Sequence, residues 1–115
     1  MGIFRGRDFI YLPNRAMKKT FYVGLSDKDT HTQLISEVEA YKVLMNKVGA
    51  YFGWGTIYSG RGFYKHDDGS VVVENTLIVM TSTDLDHKAF VDEVKRDFNQ
   101  ESVLVEVETV SQSFE

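Results

Sequence analysis

The chain contains no cysteine and a single proline in 115 residues. The first absence excludes disulfide staples, thiolate nucleophiles and cysteine-ligated zinc or iron–sulfur centres, and it fits a reducing cytoplasm. The second excludes proline-rich linkers. Positive charge is also in deficit: 13 Lys and Arg against 17 Asp and Glu leave a net charge of −4. The broad basic field that draws proteins to nucleic acid is therefore missing, and no nucleic-acid partner is expected. No apolar run approaches the ~20 residues of a membrane span, so no membrane partner is expected either. Histidine occurs only at His31, His66 and His87, with no metal-ligand spacing among them, and nothing resembles a phosphate-binding glycine loop or a nucleophile elbow. No metal, no cofactor and no nucleophile–base–acid set is expected.

What is present is a folded composition. Hydrophobic residues make up 43% and charged residues 26% of the chain, enough for one domain with one core. Residues 1–16, "MGIFRGRDFIYLPNRA", read as an N-terminal extension or arm ahead of a single domain over 17–115. Their apolar stretch is shorter than a signal-peptide core of roughly 7–15 residues. Phe4, Phe9, Ile10, Tyr11 and Leu12 suit packing against a partner subunit.

Within the domain, "TFYVGL" (20–25) has the aromatic and β-branched content of a strand. Thr30 and Gln33 match a capping box, and Leu34, Val38, Tyr41, Met45 and Val48 recur at helical spacing. They predict a helix from about Thr32 to Val48 that buries this stripe and stops near Gly49. "GWGTIYSGRGFYKH" reads as an irregular strand, "DDG" as a turn with Gly69 in the left-handed position, and "SVVVENTLIVMT" as the return strand. A second helix follows, capped by Thr83, Asp84 or Asp86 and burying Leu85, Phe90, Val91, Val94 and Phe98. In "SVLVEVETV" the alternation of Val103, Val105 and Val107 with Glu106 and Glu108 marks the last strand. The order β-α-β-β-α-β predicts an α+β, ferredoxin-like sandwich with two helices on one face of a four-stranded antiparallel sheet. Both parities of Val72–Met80 are apolar, as in a strand covered on both sides. Two helices cover only one, so homo-oligomerisation through the sheet face is expected.

Four polar places stand out, and all but the first suit a ligand. His66, Asp67 and Asp68 read as a solvated hairpin tip. In "SGRGFY", Gly60 and Gly62 flank Arg61, an arrangement that lets backbone and guanidinium approach a small anion, with Tyr64 beside them. Glu74, mid-strand next to Asn75, needs exposure or a cationic partner such as Arg61 or Lys65. With the turn between His66 and Ser70, Arg61 falls near Asn75, so Arg61 and Glu74 share a face only if a bulge at Gly60 or Gly62 shifts the register. Lys28, near the start of the first helix, is a further anion-binding candidate.

The stretch "GTIYSGRGFYKHDDGSVVVENTLIVMTSTD" resembles the second and third strands of PII-like and CutA-like ferredoxin-fold trimers, on Gly60, Gly62 and Glu74. "GLSDKDTHTQ", "TIYSGRGFYKHDDG" and "VENTL" resemble small uncharacterised proteins of Gram-positive bacteria and their phages. The absence of a nucleophile–base–acid set and the doubly apolar strand favour a non-catalytic, oligomeric binding or regulatory module for a small anionic ligand or a protein partner, and the second resemblance adds a link to phages or mobile elements. The alternative is a small ferredoxin-like enzyme or nucleotide-binding protein with a cleft around Arg61, Tyr64 and Glu74.

Overall fold

The computed structural model describes residues 14–115. Strands β1 (Asn14–Gly24), β2 (Thr56–Lys65), β3 (Val71–Ser82) and β4 (Leu104–Gln112) and helices α1 (Glu37–Phe52) and α2 (Lys88–Asp97) follow one another as β1-α1-β2-β3-α2-β4. The sheet order is β2-β3-β1-β4, antiparallel throughout. This is the ferredoxin-like α+β layout that the element order predicts. The N-terminal arm lies outside the described residues up to residue 13; Asn14, Arg15 and Ala16 pair with Gln112, Ser111 and Val110 as the start of β1.

Side chains alternate across the sheet, so parity assigns each one a face. Odd-numbered Phe21, Val23, Leu77 and Val79 point to the helices, where they join Ala40, Leu44, Val48 and Phe52 of α1 and Phe90 and Val94 of α2. The centre is aromatic: Phe90 packs edge-on to Phe21 and Phe52 at centroid distances of 4.8 and 5.1 Å. Lys19 is buried on this face, and its ammonium donates to the Leu85 carbonyl ahead of α2.

α1 departs from the sequence expectation. It begins at Glu37, where Ser36 accepts from the Glu39 N–H at 3.1 Å, and it ends at Gly53, whose φ of 86° is open to glycine. Thr30 instead belongs to a turn organised by Asp27. Ala40 is the small residue that lets α1 approach the sheet, which rotates the helix away from the predicted stripe. Leu44 and Val48 are buried, whereas Leu34, Val38, Tyr41 and Met45 remain 69, 64, 41 and 47% exposed. α2 is preceded by His87 without a side-chain cap, and Leu85 is exposed. Thr83 and Asp86 brace the preceding turn, accepting from the N–H groups of Leu85 and Lys88.

The doubly apolar β3 has an explanation within one chain. Ile78, on the open face, stands between its register partners Tyr22 and Tyr58. With these rings beside it, Ile78 is only 7% exposed. Nearer the turn that shelter ends, and Phe63, Val71 and Val73 stay exposed on the helix side of the sheet.

Candidate functional site

Glu74 lies on the open face with glycines on both sides. Gly62 of β2 is its register partner, and Gly24 of β1 pairs with Thr76 next along the same face. A Cβ on Gly24 would stand 2.5 Å from the Glu74 carboxyl carbon, and one on Gly62 would stand 2.7 Å from Thr76 Oγ1. These glycines vacate the space in which the carboxylate lies. The Ser26 N–H donates to Glu74 Oε1 at 3.0 Å, which fixes one oxygen. A broad open cleft of about 1080 Å³ surrounds this carboxylate, lined by Tyr22, Ser26, Lys28, His31, Gly62, Tyr64, His66, Glu101 and Leu104 among others.

The rim of the cleft is held by a polar network between the loop after β1 and the loop before β4. Asn99 Nδ2 donates to Asp27 Oδ2 at 2.9 Å and to Asp29 Oδ2 at 2.8 Å. The Lys28 N–H donates to the Asn99 carbonyl, and Gln100 Nε2 donates to the Ser26 carbonyl. Asp27 also accepts from the N–H groups of Asp29 and Thr30. The Asn99 hydrogen bond, followed by that of the Thr30 N–H, lowers the Asp27 pKa to about 2. His31 and Asn99 hold left-handed backbone at φ 60° and 46°. On the inner wall, the Tyr22 hydroxyl donates to Glu106 Oε1 at 2.6 Å. That bond, with burial and the Glu106 charge behind it, raises the Tyr22 pKa. Tyr22 separates the cleft from a smaller hollow of about 360 Å³ bordered by Lys18, Tyr58 and Glu108.

The sequence-derived candidates divide by face. Tyr64, Gly62, Glu74 and Lys28 meet at the cleft. Arg61 does not. The β2–β3 register runs unbroken from Thr56↔Met80 to Lys65↔Val71 with Arg61 opposite Asn75, so no bulge shifts it. Arg61 and Asn75 belong to the helix side, where Asn75 Nδ2 donates to Gln33 Oε1 at 2.8 Å. Gly60 serves packing, since a Cβ there would stand 3.2 Å from Ile78 Cδ1. The expected Arg61–Glu74 anion pocket is therefore corrected to an acidic floor, where Glu74 Oε2, without a hydrogen-bond partner among the described residues, can accept from a hydroxyl or an ammonium. Sequence reasoning missed Gly24, Ser26 and Tyr22. The signal available was Gly24 at the end of "TFYVG", where a strand glycine marks a close approach. Asp68, at the hairpin tip, accepts from the Ser70 N–H and hydroxyl, which lower its pKa.

No protein-family model matches the chain, and no curated protein matches it. Among solved structures, it is similar to a phage SAM lyase in complex with S-methyl-5'-thioadenosine, with a TM-score of 0.55 and 22% identity over 88% of this chain and 93% of that one. It is likewise similar to a phage SAM lyase in its apo state, with a TM-score of 0.56 and 21% identity over 93% and 98% of the two chains. At this identity the shared property is the fold. The resemblance to PII-like and CutA-like oligomers, drawn on Gly60, Gly62 and Glu74, is not supported by these matches.

Proposed function

We propose that this protein is an enzyme of the S-adenosylmethionine lyase type, associated with a phage, and that it takes its nucleoside substrate in the Glu74 cleft. The likeness to the phage lyase over nearly the full length of both chains carries the reading. The cleft supports it: a carboxylate anchored through Oε1, with Oε2 unpartnered among the described residues, suits a ligand rich in hydroxyl and ammonium donors and bearing a positive sulfonium. Tyr22 and Tyr64 offer aromatic surface to a base or a cation. This reading replaces the non-catalytic module, which nothing in the fold likeness supports over an enzyme.

The chemistry asks little of the protein beyond positioning. Release of S-methyl-5'-thioadenosine breaks the bond between the sulfonium sulfur and the amino-acid Cγ. The bonding pair passes to sulfur and cancels its charge. The amino-acid fragment balances internally, through closure of its own carboxylate on Cγ or loss of a proton from Cβ, so no external oxidant or reductant enters. Holding the substrate in the reactive conformer is the main task of such a site. Incubation of purified protein with S-adenosylmethionine, followed by chromatography and NMR of the products, tests the proposal. S-methyl-5'-thioadenosine should accumulate, and the NMR spectrum should identify which fragment leaves with it. An unchanged substrate would overturn the reading.

A further inference from the structure

Among the described residues Glu74 Oε1 has one donor, the Ser26 N–H at 3.0 Å. Whatever holds the Ser26 backbone therefore holds the carboxylate. Just before Ser26, the Leu25 N–H donates to the Asn75 carbonyl at 3.0 Å and prolongs the pairing of β1 with β3. Just after it, the peptide unit joining Ser26 to Asp27 is held at both ends. Its N–H donates to the Thr32 carbonyl at 2.8 Å, and its carbonyl accepts from Gln100 Nε2 at 2.6 Å. Only this last bond comes from a side chain, and it reaches the loop from the far end of α2.

The end of α2 delivers Gln100 to that place. Asn99 is left-handed at φ 46°, a conformation that asparagine tolerates. Its N–H donates to the Arg96 carbonyl at 3.3 Å, and the Gln100 N–H donates to the Lys95 carbonyl at 2.9 Å. This pair of bonds is the Schellman closure of a helix. It fixes the Gln100 backbone, while buried Val94 and Phe98 tie the same helix end into the core. Gln100 Nε2 also donates to the Phe98 carbonyl at 3.2 Å, so the side chain bridges the helix end and the Ser26 loop.

We propose that Gln100 is a positioning residue for the Glu74 cleft, holding the carboxylate through the Ser26 peptide in the orientation that receives a ligand. The role rests on the reading of this cleft as the nucleoside site. A carboxylate that is already held loses less freedom when a ligand arrives. Without the Gln100 donor the Glu74 charge stays and its aim is lost. Gln100 also borders the cleft, so direct contact with the ligand is the competing role, and the two roles differ in their coupling to Glu74.

Amide spectra of isotope-labelled protein, free and titrated with S-methyl-5'-thioadenosine, test this on Gln100→Met, Glu74→Ala and the double variant, with circular dichroism to check folding. Gln100→Met keeps the side-chain length and removes the donor. In the free protein it should move the Ser26 amide proton upfield, as a charge-assisted bond to a carboxylate lengthens. It should weaken ligand binding about three- to tenfold, the range of one lost hydrogen bond. In the Glu74→Ala background it should weaken binding no further, because residues acting through one another are not additive. Lys47→Met breaks the pairs to Glu93 and Asp97 at 2.7 and 3.1 Å and serves as the comparator for general loosening. It should lower the thermal midpoint and leave the Ser26 amide and the affinity at wild-type values. An unmoved Ser26 amide in Gln100→Met, an unchanged affinity, full additivity with Glu74→Ala, or the same changes in Lys47→Met would overturn the proposal. A wild type that binds no S-methyl-5'-thioadenosine would overturn the nucleoside reading instead. The free-protein spectra then still decide whether Gln100 holds Glu74: a displaced Ser26 amide supports it, and an unmoved one overturns it.

Discussion

At Gly24 one methyl group decides whether the cleft keeps its carboxylate in place. Gly24→Ala would meet the end of a flexible Glu74 side chain rather than backbone, so the side chain yields and the fold survives. The expected result is a stability loss of about 1 kcal/mol or less together with loss of nucleoside binding in calorimetry. Glu74→Gln keeps an oxygen for the Ser26 N–H but removes the charge. It should fold as the wild type does and bind a sulfonium ligand at least tenfold more weakly, a factor that corresponds to about 1.4 kcal/mol. Asp27 gives a pH signature. Its folded pKa is depressed to about 2, so its contribution is fully present above the ordinary carboxylate range and is lost as pH falls from about 4 towards 2. NMR titration of the Asp27 carboxyl should show that low midpoint, and Asn99→Ala should move it upward.

Elements formed where local chemistry and packing agreed. The first and last strands, the hairpin turn at Gly69 and the element order were legible because β-branched alternation and turn residues speak for themselves. α1 was only half legible. Its apolar residues span more than one face, and sequence periodicity does not say which face meets the sheet. Leu34, Val38, Tyr41 and Met45 satisfy the helical spacing, yet Ala40 and Phe52 complete the core with Leu44 and Val48. The cap was misplaced because Thr30–Gln33 and Ser36–Glu39 both match a capping box, and only Ser36 stands at the helix start. Ser36→Ala should therefore cost about 1 kcal/mol in chemical denaturation, and Thr30→Ala less. Phe90→Ala, which empties the centre of the aromatic core, should cost about 3–5 kcal/mol. Of the site, Glu74, Tyr64 and Gly62 were visible as residue types. The exclusion of Arg61 was not, because it depends on an unbroken register that glycines alone leave undecided.

For the whole molecule, the sheet separates two roles. Its open face carries the glycine-walled carboxylate, braced by the loop network of Asp27, Asn99 and Gln100, while its helix side carries the aromatic core around Phe21, Phe52 and Phe90. The central claim is that the Glu74 cleft is the nucleoside site. Titration of isotope-labelled protein with S-methyl-5'-thioadenosine, followed through backbone amide shifts, tests it most directly. Saturable shifts should centre on Gly24, Ser26, Gly62 and Glu74, with the outer flank of α1 unmoved. Shifts centred on Arg61 and the helix side, or none at saturating ligand, would contradict it.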